Sequence, residues 1–106
     1  LKLLMENYSL GNLFPPKIAL PTLSGYRILN VNEILYCLAE DNYTQIITYN
    51  KENILVSKTL KLIEEMLPDE SFFRIHKSTL INLNYIRTLN LRNDCSLTLE
   101  NGETFE

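Results

Sequence analysis

Residues 34–49 read ILYCLAEDNYTQIITY, and this stretch decides the fold class. Two runs rich in β-branched and aromatic residues, 34–38 and 43–49, flank a polar turn, and this pattern predicts two antiparallel strands. The same pattern, with asparagine-rich turns between the runs, continues in both directions. Further strands are predicted at 17–20, 26–29, 53–56, 72–76, 79–82, 85–89, 96–100 and 103–105. Asn101-Gly102 predicts a tight hairpin between the last two strands.

One helix interrupts the strands. Ser57 is suited to cap its start, and Pro68 follows at a point where a helix does not easily continue. Between them the apolar residues at helical spacing are Leu60, Ile63, Met66 and Leu67. The sequence therefore predicts a mostly β, antiparallel fold with one main helix at about 58–67, and not a doubly wound α/β sheet.

The chain has 106 residues, 45% of them hydrophobic, which fits one domain with a packed core. We expect a linker or N-terminal arm at 1–16 and the domain itself at 17–106. The chain does not begin with methionine and ends at Glu106 within a predicted strand, so we expect it to be a fragment truncated at its C-terminus. No apolar run approaches the roughly 18 residues of a membrane span.

Catalytic, metal and cofactor sites are disfavoured by residue counts. Two cysteines and one histidine exclude a four-thiolate zinc site and histidine pairs, and three separate glycines form no phosphate-binding loop. Adjacent carboxylates on a strand point to opposite faces, so they form no acid–base couple. A Cys37–His76 nucleophile pair is a minor alternative to a buried Cys37. We predict no enzyme activity and no cofactor, and two thiols without a signal peptide favour the cytoplasm.

The distribution of charge points to a polyanion. The formal net charge is −3, yet residues 71–93 contain no Asp or Glu. The basic residues of this window are Arg74, Lys77, Arg87 and Arg92, beside His76. Nucleic-acid binding depends on such local fields more than on total charge, although an ordinary charged strand face remains an alternative.

Two places suit contacts with a duplex. The strand period puts Arg74 and His76 on one face, and Lys77-Ser78 follows at the strand end. Arginine, lysine and hydroxyl groups bind phosphates, although a hydrogen-bonded structural role is the alternative for His76. The second place is the loop 40–45, in which Asn42, Tyr43, Thr44 and Gln45 carry groups able to reach base edges.

Three motifs, two of which include these places, resemble the LytTR DNA-binding domain family. They are Ile34-Leu35-Tyr36-(x2)-Ala39-(x2)-Asn42-Tyr43-Thr44, then Leu55-Val56-(x2)-Thr59-Leu60 leading to Leu67-Pro68, and Phe73-Arg74-Ile75-His76-Lys77-Ser78-Thr79-Leu80-Ile81-Asn82-(x2)-Tyr85-Ile86. The third motif is long and uncommon, and the resemblance covers roughly residues 17–106.

The resemblance implies an elongated, mostly antiparallel β domain that binds DNA as the output domain of a bacterial response regulator. It implies loops in successive major grooves of paired direct repeats, two protomers on DNA, a receiver domain in the parent chain and a sensor histidine kinase upstream. By position, Asn42 or Tyr43 lies in the first contact loop and Lys77 in the second. A third, basic contact segment is expected after Glu106, whereas Arg87 is a candidate from charge alone.

Two alternatives from other classes remain. The acidic total charge is compatible with a non-catalytic protein-interaction module of the same fold. A small-molecule sensor barrel would need an apolar pocket with convergent polar groups, and no feature of the sequence points to one.

Overall fold

The computed structural model describes residues 17–68, 70–92 and 95–105, so the predicted arm at 1–16 lies outside the described residues. The elements are β1 (Lys17–Thr22), β2 (Gly25–Asn30), β3 (Ile34–Glu40), β4 (Tyr43–Thr48), β5 (Asn53–Val56), α1 (Leu60–Met66), β6 (Phe72–His76), β7 (Thr79–Asn82), β8 (Ile86–Asn90), β9 (Ser96–Leu99) and β10 (Thr104–Phe105). Single 3-10 turns at Val31–Glu33 and Leu83–Tyr85 precede β3 and β8.

The strands form three antiparallel sheets, which confirms the predicted fold class. A five-stranded sheet has the order β5-β4-β3-β7-β6, a hairpin joins β1 to β2, and a three-stranded sheet has the order β10-β9-β8. The predicted hairpin at Asn101-Gly102 is confirmed by the pairing of β9 with β10. Gly102 has a φ of +96°, a backbone region that glycine enters without steric cost.

The helix is confirmed, but it is shorter than predicted. Thr59, not Ser57, caps α1, because its hydroxyl accepts a hydrogen bond from the amide of Leu62 at 3.4 Å. Ile63 is buried, whereas Met66 is 41% exposed, so only part of the apolar stripe faces the sheet. The helix lies on the side of the five-stranded sheet that also carries the β1–β2 hairpin.

Strand β3 supplies apolar side chains to both faces of the five-stranded sheet. Its pairing with β4 shifts register between Ile34 and Tyr36, a bulge that turns Leu35 and Tyr36 to the same face. Ile34 and Cys37 pack on the opposite face. The first hydrophobic cluster consists of Leu20, Leu29, Val31, Ile34, Cys37, Ile46, Ile54, Val56, Leu60, Ile63, Leu67, Phe72 and Leu80. The second consists of Leu35, Tyr36, Ile81, Leu97 and Leu99.

A polar contact fastens the three-stranded sheet over the second cluster. The hydroxyl of Tyr36 donates to the carboxylate of Glu103, with oxygen distances of 2.7 and 2.8 Å. The Tyr36 ring also meets Phe105 edge-on at 5.0 Å between centroids. Desolvation, followed by the hydrogen bond to Glu103, raises the pKa of Tyr36 above its ordinary value, so this hydroxyl stays protonated in the folded domain.

The two cysteines should differ in reactivity. Cys37 is fully buried, and burial raises the pKa of its thiol from 9.0 to about 12, whereas Cys95 is exposed. Because the thiolate is the nucleophile, iodoacetamide at pH 8 should modify one thiol per native chain and two per denatured chain. Mass spectrometry of the alkylated chain measures this count, and rapid labelling of both native thiols would contradict the burial of Cys37.

The raised pKa of the Cys37 thiol also makes the stability of the domain depend on pH. Above pH 9 the unfolded chain loses this thiol proton, whereas the folded chain keeps it until about pH 12. The folded state then binds more protons, so the free energy of unfolding should fall as pH rises above 9. Urea unfolding of a Cys37→Ala variant, whose stability should depend less on pH in this range, provides the control.

Candidate nucleic-acid interface

Four chain connections meet at one end of the five-stranded sheet. They are the β1–β2 turn at 23–24, the β3–β4 turn at 41–42, the β5–α1 connection at 57–59 and the β6–β7 turn at 77–78. The amide of Ala39 donates to the carbonyl of Ser78 at 2.8 Å, and the amide of Ser57 donates to the carbonyl of Pro21 at 2.9 Å. We call these four connections the connection end. It unites the two loops that the sequence predicts as contact sites.

The β3–β4 turn presents polar groups outward. Glu40 pairs with Tyr43, so Asp41 and Asn42 form a two-residue turn between the strands. Asp41 has a φ of 55°, a left-handed conformation that Asp and Asn tolerate better than most residues. The side chain of Asn42 is exposed and that of Tyr43 is half-buried, so both are accessible at the connection end.

The structure corrects the predicted position of Thr44. The sequence predicts that this hydroxyl is able to reach base edges, but Thr44 is fully buried in β4. Its Oγ1 donates to the carbonyl of Lys58 at 2.7 Å, which ties β4 to the β5–α1 connection. The amide of Gln45 is likewise engaged within the domain, since it donates to Glu40 at 2.9 Å and accepts from Asn53 at 3.0 Å.

The β6–β7 turn exposes a cation and a hydroxyl. Lys77 and Ser78 are both exposed, as is His76 at the end of β6. The prediction that Arg74 and His76 share a face is wrong, because the β6–β7 register shifts between them and places Arg74 opposite Leu80 and His76 opposite Thr79. Directly opposed residues project on the same side of a sheet, and neighbouring residues of β7 project on opposite sides.

The guanidinium of Arg74 is bonded within the domain. Its Nη1 lies 3.1 Å from Oε1 of Glu64 on α1, and its Nη2 donates to the carbonyl of Lys77 at 2.5 Å. The sequence indicated a cation free to bind phosphate. The carboxylate that pairs with it comes from outside the acid-free window, so charge counting along the chain did not reveal it.

Arg87 lies away from the connection end. Its Nη2 donates to the carbonyl of Glu100 at 2.6 Å, and the amide of Glu100 donates to the carbonyl of Tyr85. Tyr85 stacks on Tyr49 at 6.3 Å between centroids, and Tyr49 follows the end of β4 opposite to Tyr43. The acid-free window therefore does not form one continuous basic surface.

Lys58 is a candidate that the sequence analysis missed. It is exposed in the β5–α1 connection, and its carbonyl is held by Thr44 at the connection end. It lies 13 residues before the acid-free window, which begins at Ser71, so no local pattern distinguished it from an ordinary surface lysine.

Residues 24–106 match the profile of the LytTr DNA-binding domain family. The chain belongs to this family. The match includes three of the four connections in full and the second residue of the β1–β2 turn, and it confirms the resemblance carried by the three motifs.

Individual relatives agree with this assignment. The LytTr domain is 34% identical over 73 residues to the sensory transduction protein LytT of Bacillus subtilis (strain 168), covering 69% of this chain and 30% of that protein. LytT of Bacillus anthracis is 33% identical over 70 residues, covering 66% and 28%. The chain thus spans less than a third of the curated relatives it matches.

A solved structure shares the fold. The LytTr DNA-binding domain of a putative methyl-accepting/DNA response regulator from Bacillus cereus superposes with a TM-score of 0.69 at 25% identity. The alignment covers 84% of this chain and 83% of that one.

Neither a metal site nor a membrane-spanning helix is present in the part of the chain that the structure describes. In residues 17–68, 70–92 and 95–105 no three His, Cys, Asp or Glu side chains are grouped so that they could hold a metal ion. The one α-helix of this part of the LytTr domain is too short to cross a membrane.

Thr44→Val should weaken folding without changing which DNA sequence is preferred. Valine has a similar volume, but it leaves the carbonyl of Lys58 without its 2.7 Å donor, so unfolding should become easier by about 1 kcal/mol. Urea denaturation measures this loss, and Thr88→Val, at an exposed position of β8, is the matched control. An unchanged stability with altered base preference would instead assign Thr44 to base readout.

Proposed function

We propose that this LytTr domain binds duplex DNA through the connection end, as the output domain of a bacterial transcriptional regulator. The observation that carries the proposal is the 2.8 Å hydrogen bond from the amide of Ala39, near the end of β3, to the carbonyl of Ser78, because it holds the β6–β7 turn beside the end of β3. The side chains that would reach base edges therefore lie at the same end of the sheet as those that would contact phosphates, in a chain of the DNA-binding family.

The side chains divide between two roles. Lys77 and Lys58 are exposed cations, and with the hydroxyl of Ser78 they would contact phosphates and fix the domain on the duplex. Asn42 and Tyr43 project from the neighbouring turn and would reach base edges in the major groove. His76, exposed beside Lys77, would add a ring N–H donor.

The wider system is proposed from relatives. Their printed names, sensory transduction protein and response regulator, support a parent chain with a receiver domain and a sensor histidine kinase upstream, acting in the cytoplasm. Phosphorylation of the receiver would raise the population of dimers and hence the occupancy of paired direct repeats. This step rests on analogy within the family.

A protein-interaction module is the competing function, and the net charge of −3 favours it. The two functions differ in their response to salt. Phosphate contacts release condensed counterions, so the logarithm of DNA affinity should fall with the logarithm of salt concentration by about 0.9 per contact. A protein interface of mixed polarity has no such polyelectrolyte slope.

Lys77→Ala tests the proposed site directly. Loss of one phosphate contact should weaken binding to all duplexes alike and reduce the salt slope by about 0.9. Fluorescence anisotropy with duplexes that the wild-type chain selects from a random pool, repeated at several salt concentrations, measures both quantities.

Lys17→Ala is the matched control, because it removes the same charge from an exposed residue at the far end of β1. Equal effects of the two substitutions would remove Lys77 from the site. If the wild-type chain selects no duplex from the pool, or if its affinity for DNA does not depend on salt concentration, the protein-interaction module is the better function.

A further inference from the structure

One arginine connects the helix to the turn that carries Lys77. The Nη1 of Arg74 reaches the Glu64 carboxylate of α1 at 3.1 Å, while its Nη2 reaches the main-chain carbonyl of Lys77 at 2.5 Å. The side chains of Arg74 and Glu64 are only 32% and 40% exposed. A planar guanidinium suits this double role, since its donors are fixed in one fork.

The β6–β7 turn has limited support from the sheet itself. Among the described residues β6 is an edge strand and pairs only with β7. The register shift after Arg74 leaves His76 opposite Thr79 as the last pair before the turn. Toward β3, the carbonyl of Ser78 accepts a hydrogen bond from the amide of Ala39. The other described contact that holds the turn is the hydrogen bond from the guanidinium of Arg74 to the carbonyl of Lys77.

The direction of Arg74 follows from its register. It lies opposite Leu80, which packs in the same cluster as Leu60 and Ile63 of α1. Its side chain therefore projects to the helix side of the sheet. Two of its five N–H donors are thus engaged within the domain, one by Glu64 and one by the carbonyl of Lys77.

We propose that Arg74 is a positioning residue, and that the Glu64–Arg74 pair holds the β6–β7 turn in the conformation that presents Lys77 to DNA. This inference rests on the proposed function and adds a role for a helix that lies behind the contact surface. It assigns Glu64, an acidic residue, a favourable part in binding a polyanion.

Removal of Glu64 separates positioning from direct contact. If Arg74 itself bound phosphate, Glu64→Ala would release a cation and delete a negative charge, so the DNA affinity would rise. If Arg74 positions Lys77, the same substitution loosens the turn and lowers affinity. Glu65→Ala is the matched control, because it removes an equal charge from the next, exposed residue of the same helix.

We expect Glu64→Ala to bind the selected duplex about threefold more weakly than Glu65→Ala, the size of effect that a partly exposed ion pair supports. In a Lys77→Ala background the difference between the two variants should disappear, because the group being positioned is absent. Equal or tighter binding by Glu64→Ala would overturn the proposal.

The substitution Arg74→Lys tests the proposal independently. Lysine keeps the charge but lacks the fork that reaches Glu64 and the turn together. Positioning predicts a loss of affinity close to that of Arg74→Gln, whereas direct phosphate contact predicts near-wild-type affinity and an unchanged salt slope.

A measurement without DNA keeps the two proposals distinguishable. Amide hydrogen exchange at Ala39, whose N–H donates to the carbonyl of Ser78 in the turn, should be about threefold faster in Glu64→Ala than in Glu65→Ala, with global unfolding by urea monitored in parallel. Failure of the wild-type chain to bind duplexes would refute the proposed function alone. Unchanged exchange at Ala39 would refute the positioning role of the Glu64–Arg74 pair, whatever the DNA result.

Discussion

The pairing of β3 with strands on both of its sides determines the rest of the structure. β3 lies at the centre of the five-stranded sheet, between β4 and β7, and both of its faces are covered. Alternation along β3 supplies side chains to both hydrophobic clusters, and the bulge between Ile34 and Tyr36 places two consecutive residues, Leu35 and Tyr36, in the second. The same pairing aligns the ends of neighbouring strands, so the β3–β4 and β6–β7 turns become adjacent. The hydrophobic core and the connection end thus depend on the same strand.

Much of the fold was predictable from local pattern. Runs of β-branched and aromatic residues with asparagine turns located the strands, and helical spacing located the single helix. The helix boundary was less predictable, because Ser57 and Thr59 are both suitable caps and only packing selects between them. The order of strands in the sheet could not be predicted from local pattern, because it depends on long-range pairs such as Leu38 with Thr79.

The structure of the connection end was predictable only in part, and the reason is again non-local structure. The exposure of turn residues such as Asn42 and Lys77 was predictable because turns lie at the surface. Thr44 was predicted to be accessible together with Tyr43, but successive residues of a strand point to opposite faces, and the side chain of Thr44 points into the domain. Arg74 and Arg87 carried the right charge in the sequence, but their partners come from distant segments, Glu64 and the main chain of Glu100.

The sequence separation between β3 and β7 has a consequence for the order in which the connection end is assembled. Leu38 and Thr79 pair across about 40 residues, and closing such a separation is slower than forming adjacent hairpins. The β1–β2 and β3–β4 hairpins are local and need no such closure. These hairpins can therefore form before β3 pairs with β7, whereas the connection end is complete only when that long-range pairing has formed.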